Sequence, residues 1–223
     1  MASSGTTSFN PSIDEVIEEA YERCGVRTNS GNDIKSARRS LNLLFSEWGN
    51  RGINLWKVKS KTETLVNGQV TYNAPSDCND VLEAVVTVSG GNQQTLTKVS
   101  RSEYIAIPNK TATGTPSQYY VDRQLTPTIS LYLAPDTSAV TNIFYYYLAR
   151  IEDVGAYTNT ADMPFRFFPC MVSGLAFYLS QKIAPDRIQA LKLLYEDELK
   201  RALEEDGSAS SSFITPKTYY PNV

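Results

Sequence analysis

The apolar side chains of residues 164–206 recur with a helical period, and this stretch constrains the fold more than any other. In its first half they lie three or four residues apart, at Phe168, Met171, Val172, Leu175, Tyr178, Leu179 and Ile183. In its second half the same spacing holds for Ile188, Leu191, Tyr195, Leu199, Ala202 and Leu203. Pro185 separates the halves, and its preset φ and missing N–H suit the first turn of a new helix. The pattern predicts a helical hairpin that needs a partner to bury its two apolar stripes.

The other end of the chain supplies two further amphipathic helices. Residues 11–25 place one stripe at Ile13, Val16, Ile17, Ala20, Tyr21 and Cys24. Ser12 and Glu15 have the spacing of a capping box, and Gly25 suits the end of this helix. Residues 33–48 place a second stripe at Ile34, Ala37, Leu41, Leu44, Phe45 and Trp48, with Gly49 as the predicted end. The four helices predict one bundle, in which residues 152–206 pack with residues 11–49.

Between the two helical pairs the apolar period changes from 3.6 to 2. Strands are predicted at residues 55–62, 69–72, 81–88, 94–99, 118–123, 128–133 and 141–151. Asn67-Gly68 predicts a hairpin between the first two strands, and Gly90-Gly91-Asn92 predicts another between the next two. Strands this short and closely spaced are typical of a small antiparallel sandwich or barrel.

The predicted fold class is therefore α+β, a four-helix bundle split by an inserted small antiparallel β-sandwich or barrel, with an extended C-terminal tail. The predicted boundaries are residues 1–54 for the first helical half, 55–151 for the β domain, 152–206 for the second helical half and 207–223 for the tail. Gly207 and the serines after it predict a flexible linker. Beyond them, Phe213, Ile214, Tyr219 and Tyr220 predict a peptide that docks on a partner, with a frayed terminus as the alternative.

The composition narrows the function more by exclusion than by motif. The 223 residues contain no histidine, which removes Ser-His-Asp and Cys-His catalysis and nearly all catalytic zinc sites. No phosphate-binding glycine loop is present, and the net charge of −3 disfavours a general nucleic-acid binder. We therefore expect no enzyme, no catalytic residue, no cofactor, no metal site and no membrane contact. Cys24, Cys78 and Cys170 are predicted to be buried free thiols.

Two charged helix faces are candidates for a contact between subunits. The first helix presents acidic residues opposite its apolar stripe, and the second presents arginines. The candidate interface residues are Glu18, Glu22, Arg38, Arg39 and Arg51. The alternative, an ordinary solvated helix face, explains each residue taken singly equally well.

Alternation along the first strand predicts that Lys57, Lys59 and Lys61 share one face. Such a face would suit a path for DNA phosphates, and edge lysines that prevent aggregation explain it equally well. The tyrosines of the β domain offer a second possibility, a base-stacking or sugar-binding platform made from Tyr119, Tyr120, Tyr132, Tyr145, Tyr146 and Tyr147. Consecutive tyrosines on a strand point to opposite faces, so at least one of them is expected in the core or at a subunit contact.

Two stretches carry a resemblance to a known family. They are Ser12 to Trp56, and the hairpin FRFFPCMVSGLAFYLSQKIAPDRIQALKLLYEDELKRAL with the tail beyond it. The β stretches PTISLYLAPD and IFYYYLARIEDVG share the family's character. The arrangement resembles the head-to-tail adaptor proteins of short-tailed bacteriophages, also called tail accessory factors, tail tubular proteins or gateway proteins.

The resemblance implies a structural virion protein that forms a ring, usually of twelve copies, beneath the portal protein. Such a ring extends the DNA channel and docks the tail nozzle, so the implied partners are the portal, the nozzle protein, further copies of the chain, and genomic DNA that passes without sequence-specific binding. The implied location is the head–tail junction, after synthesis in the host cytoplasm. The tail residues Phe213, Ile214, Tyr219 and Tyr220 would then grip the portal.

Two functions of other classes remain open from the residues. One is a carbohydrate- or receptor-binding module that uses the tyrosine-rich β domain. The other is a histidine-free hydrolase, such as a wall-degrading enzyme of the virion, which no motif in the sequence favours.

Overall fold

The computed structural model describes residues 5–6, 9–28, 30–51 and 55–207. Within these ranges the chain forms five α-helices and three small sheets, and the β region lies between the N-terminal and C-terminal helices. The predicted α+β class with an inserted β region is thereby confirmed. The chain divides into two compact units, a helical unit of residues 1–47 and 153–223 and a β unit of residues 48–152.

The helices are α1 (Ile13–Arg23), α2 (Gly31–Arg51), α3 (Arg101–Ala106), α4 (Phe168–Ile183) and α5 (Ile188–Gly207). The apolar stripe predicted for α1 is buried along its whole length. The predicted end of α2 at Gly49 is wrong, because the helix continues to Arg51. An interior glycine costs a helix only about 1 kcal/mol, which the following turn can outweigh.

Helix α4 is buried on most of its surface, whereas the sequence predicts one apolar stripe. Its small residues Cys170, Ser173, Gly174, Ala176 and Ser180 are fully buried beside the predicted apolar ones. A Cβ at Gly174 would lie 2.8 Å from Leu44 Cδ2 on α2 and 2.9 Å from Tyr195 Cε2 on α5. The Sγ of Cys24, the residue that follows α1, lies 3.3 Å from the backbone oxygen of Ala176. Small side chains therefore let three helices approach α4 at once.

The strands are β1 (Val58–Thr64), β2 (Thr71–Asn73), β3 (Cys78–Val88), β4 (Gln93–Thr95), β5 (Thr97–Lys98), β6 (Thr113–Gly114), β7 (Gln118–Asp122), β8 (Thr128–Tyr132), β9 (Ala134–Pro135) and β10 (Val140–Ala149). They form one sheet of order β1-β10-β3-β4, a second of order β2-β8-β7-β5, and the pair β6-β9. Most pairs are antiparallel, but β5 with β7 and β6 with β9 are parallel. The prediction of a wholly antiparallel region is corrected at these two pairs, which join strands distant in sequence.

The hairpin predicted at Asn67-Gly68 is wrong, although the turn itself is present. Gly68 has φ of 73°, and the N–H of Gln69 donates to the oxygen of Val66 at 3.1 Å. Strand β1 nevertheless pairs with β10, and β2 pairs with β8 in the other sheet. The turn chemistry determines the local reversal, while the buried strand β10 determines the partner of β1. The second predicted hairpin is confirmed for β3 and β4, with Val86 opposite Gln94.

Both four-stranded sheets contribute to one apolar core. Val81, Val86 and Ile143 come from the first sheet, and Ile129 and Leu131 come from the second. All five side chains are at most 2% exposed. The β unit therefore buries its own apolar surface between its sheets.

Candidate interaction surfaces

Helix α1 carries an exposed acidic face opposite its buried stripe. Glu15 and Glu19 on this face have partners, because the N–H of Ser12 donates to Glu15 Oε2 at 2.9 Å and Arg23 Nε lies 3.0 Å from Glu19 Oε1. Glu18 and Glu22 are exposed, and their carboxylates form no ion pair or hydrogen bond with any residue that the structure describes. These two carboxylates are free to meet a cation on another molecule.

Helix α2 carries an open cleft of about 870 Å³ with an excess of positive charge. Three cations and one carboxylate contribute to its lining, which is formed by Asn32, Asp33, Lys35, Ser36, Arg38, Arg39 and Asn42. Lys35 and Arg39 are exposed, and neither makes an ion pair within the described ranges. We call this site the cationic cleft.

Arg38 is half-buried in the cationic cleft, whereas a candidate interface residue on a charged helix face is expected to be exposed. Its Nη2 donates to the backbone oxygen of Val154 at 3.1 Å. Its guanidinium carbon lies 5.1 Å from the centre of the Tyr157 ring, the geometry of a cation–π contact. The loop before α4 therefore covers Arg38, which leaves Arg39 as the more accessible guanidinium.

Lys182 adds a fourth positive charge beside the cationic cleft. Its Nζ donates to Ser40 Oγ at 2.7 Å and to Ser36 Oγ at 3.1 Å. Burial lowers the pKa of Lys182, and the positive charge of Arg39 lowers it further. Sequence patterns do not predict this residue, because α4 brings it to α2 from far along the chain.

A second concave site, which we call the apolar groove, lies between α1 and the start of α4. It has a volume of about 590 Å³ and is lined by Phe9, Pro11, Glu15, Val16, Glu19, Arg23, Phe165, Phe168, Pro169 and Val172. Phe9 and Phe165 are 75% and 76% exposed, although both are large apolar residues. The Phe9 ring packs edge-on against Phe168 at 6.4 Å between centres.

A hydrogen-bonded chain of polar side chains closes one side of the apolar groove. Arg23 Nη1 donates to Ser173 Oγ at 2.6 Å and lies 3.8 Å from Glu198 Oε1. Ser173 in turn bonds to the Glu198 carboxylate. These contacts join α1, α4 and α5, so the walls of the groove are held by charge-assisted bonds as well as by packing.

The lysines predicted to share a strand face are separated by the structure. Lys57 lies in a 3-10 turn, Leu55–Lys57, before β1 begins, and it is only 3% exposed. Burial lowers its pKa, and Glu152 lies 3.9 Å from its Nζ. Lys57 therefore does not share an exposed strand face with Lys59 and Lys61, and its predicted position facing DNA stays a prediction. Lys59 and Lys61 lie on β1 but are paired with carboxylates, at 3.0 Å to Asp77 and 2.6 Å to Glu63 respectively.

The tyrosines do not form a continuous platform. Tyr119, Tyr145 and Tyr147 are buried in the β core, as the alternation along a strand requires for part of the set. Tyr146 is 44% exposed on the other face of its strand. Tyr120 stacks on Tyr104 of α3 at 5.3 Å between ring centres. Half of the set is therefore core, and Tyr120, Tyr132 and Tyr146 are the members that keep accessible surface.

The three cysteines are free and buried, as predicted. Burial raises the pKa of the Cys78 thiol to about 11 and that of the Cys170 thiol to about 12. The predicted docking residues Phe213, Ile214, Tyr219 and Tyr220 lie outside the described residues. Arg51 ends α2 and is exposed.

A helical unit with unpaired opposite charges and an exposed apolar groove is a surface expected of a protein that joins other proteins. The family model described as SU10 adaptor protein matches residues 14–217. The chain therefore belongs to the SU10 adaptor protein family and is a phage head-to-tail adaptor, which confirms the resemblance stated from the sequence. A comparison with curated proteins finds no match.

Membership of this family has coarse consequences for function. It implies a structural, non-enzymatic role, binding to components of the phage head or tail, and a place in the virion. In the part of the chain that the structure describes, no helix is both long and apolar enough to cross a membrane.

Proposed function

We propose that the protein forms a ring beneath the portal at the head–tail junction, extends the DNA channel and docks the tail nozzle. The observation that carries this proposal is the family match, which spans residues 14–217 and so includes both units. The ring would contain twelve copies, assembled from chains made in the host cytoplasm. The four long helices would act as the split bundle that forms its scaffold, and the two sheets with their common core as a small sandwich inserted in it.

The contact between neighbouring subunits in this ring would join unlike surfaces. Glu18 and Glu22 of one copy would meet Arg39 of the cationic cleft of the next, with Arg38 and Arg51 adding positive charge. Contacts between two different surfaces form a ring when the rotation from each copy to the next brings the last copy back to the first. The support for this pairing is that both surfaces belong to the helical unit and that Glu18, Glu22 and Arg39 have no ion pair within the described chain.

The remaining contacts would be to the portal and to DNA. The tail after Gly207 would reach the portal, with Phe213, Ile214, Tyr219 and Tyr220 as the anchoring side chains. Lys59 and Lys61 remain the candidates for a channel-facing position. Their carboxylate partners, together with the net charge of −3, would leave few cations to bind phosphates. DNA would then slide through the channel with little counterion release.

The test is binding of the purified chain to portal rings, with and without residues 208–223. We expect the truncation to weaken binding at least roughly a hundredfold, because burial of each large apolar side chain contributes about 1.5–3 kcal/mol. Electron microscopy of the full-length mixture should show a ring beneath the portal.

The matched control is Leu193→Ser, which removes an apolar side chain that is 63% exposed on α5. This variant should bind portal like the unmodified chain, and all variants should keep the same circular dichroism spectrum. A truncated chain that binds as tightly as the full chain would show that the tail is not the portal contact.

A further inference from the structure

The apolar groove exposes more apolar surface than an isolated surface phenylalanine does. Phe9 and Phe165 line it, and each is about three-quarters exposed. Val16 and Val172 also line it. Exposed apolar patches of this kind mark binding sites, and a volume of about 590 Å³ is in the range of sites that hold a drug-sized ligand. The groove therefore has room for one or two large apolar side chains.

The last described helix, α5, contacts the turn that contributes Phe165 to this groove. Helix α5 runs back along α4, since Tyr195 stacks on Phe177 and Glu198 bonds to Ser173. Residues beyond Glu198 therefore run toward the start of α4, where α5 contacts the turn Phe165–Phe167. Phe165 in that turn is one edge of the groove.

The sequence after Gly207 has the length and chemistry to occupy the groove. Residues 208–212 are one alanine and four serines, which can span up to roughly 17 Å when extended. Phe213 and Ile214 follow at once. The segment 208–223 contains one cation, Lys217, and no aspartate or glutamate. The lining of the groove contains two carboxylates, Glu15 and Glu19, and one cation, Arg23, so its net charge is negative and complements Lys217.

We propose that the apolar groove binds residues 213–220 of its own chain. Phe213 and Ile214 enter between Phe9 and Phe165, and Lys217 lies toward the carboxylates of Glu15 and Glu19. The effect on portal binding rests on the proposed function. The same apolar side chains would be covered in the free protein and released to the portal. The association constant for portal would then be multiplied by the fraction of chains whose tail is free.

The experiment places a photocrosslinking amino acid, p-benzoylphenylalanine, at position 213 of the full-length chain, without portal. Mass spectrometry should find intrachain crosslinks to residues 9–19 and 165–172, in protein of monomer size. Phe165→Ser should lower this crosslink yield roughly tenfold, because it removes one wall of the groove. Phe9→Ser gives an independent second variant. Leu193→Ser removes an apolar side chain that is also exposed but lies outside the groove, so it should leave the yield unchanged.

Crosslinks that join two chains would overturn the proposal, because they place the tail on a second copy. Crosslinks elsewhere in the same chain, or a yield that Phe165→Ser and Phe9→Ser leave unchanged, would also overturn it. Since no portal is present, this failure is distinct from a failure of the proposed function, which the portal-binding assay measures separately.

Discussion

The helical unit and the β unit differ in whether the charged residues proposed for function form ion pairs. In the β unit, Lys59 pairs with Asp77, and Asp80 accepts from Lys98 at 2.8 Å and lies 3.6 Å from Arg123. In the helical unit, Arg39 and Glu18 are exposed without an ion pair in the described chain, and the apolar groove lies close by on α1. The comparison indicates that the β-strand lysines proposed to face DNA are already paired, whereas the charges proposed for subunit contact on the helical unit are not.

The largest expected effect concerns packing around α4. Gly174→Leu should lower the free energy of unfolding by about 3 kcal/mol. The Cβ of the new side chain would already lie less than 3 Å from atoms of Leu44 and Tyr195, and the rest of the side chain has no space. Urea titration followed by circular dichroism measures the loss.

Gly49→Ala is the control, since a Cβ at Gly49 meets nothing within 4 Å. It should stabilise α2 by up to about 1 kcal/mol. If Gly174→Leu were as stable as the unmodified chain, the close approach of the three helices at Gly174 would not be a feature of the folded protein.

The next prediction tests whether partner contacts belong to the helical unit. Arg39→Glu reverses the accessible charge of the cationic cleft and should raise the protein concentration needed for ring assembly roughly tenfold, because like charges then face each other. Sedimentation velocity in the presence of portal measures the assembly.

The matched reversal in the β unit is Lys61→Glu, which breaks the pair with Glu63 and should leave assembly nearly unchanged. Equal effects of the two reversals would remove the distinction between the units. Restoration of assembly by adding Glu18→Arg to Arg39→Glu would identify the two surfaces as partners.

The smallest expected effect compares one buried thiol from each unit. The pKa of Cys78 is raised to about 11 and that of Cys170 to about 12, from an ordinary value of 9.0. Above pH 9 the unfolded thiols ionise while the folded ones stay protonated, so the free energy of unfolding falls as pH rises. The free energy of unfolding should therefore be lower at pH 10 than at pH 7 by about 1 kcal/mol for each thiol.

Urea titrations at pH 7 and pH 10 measure this decrease. Cys78→Ala and Cys170→Ala should each reduce the difference between the two pH values by about that amount, whatever they do to stability at pH 7. The loss due to Cys78 should level off near pH 11, and that due to Cys170 near pH 12. A variant whose pH dependence matches that of the unmodified chain would show that its thiol is not protected.

Several features could be predicted because they depend on neighbours in sequence. The stripe of α1 follows from residues three and four apart, and the turn at Gly68 follows from a glycine with positive φ. The alternation along β10 correctly separates Tyr146 from Tyr145 and Tyr147. The order of helices, strands and helices also follows from such local periods, and with it the α+β class.

Tertiary structure alone determined the features that join distant parts of the chain. Lys57 is buried where Glu152, distant in sequence, lies 3.9 Å from its Nζ, and Arg38 is covered because its guanidinium binds the backbone oxygen of Val154. Lys182 reaches the cationic cleft, and Phe9 meets Phe168, only after α4 has packed against α1 and α2. Periodicity reports which face of an element is apolar, but it carries no information about which other element covers that face. The two candidate sites of the helical unit both arise from that second choice.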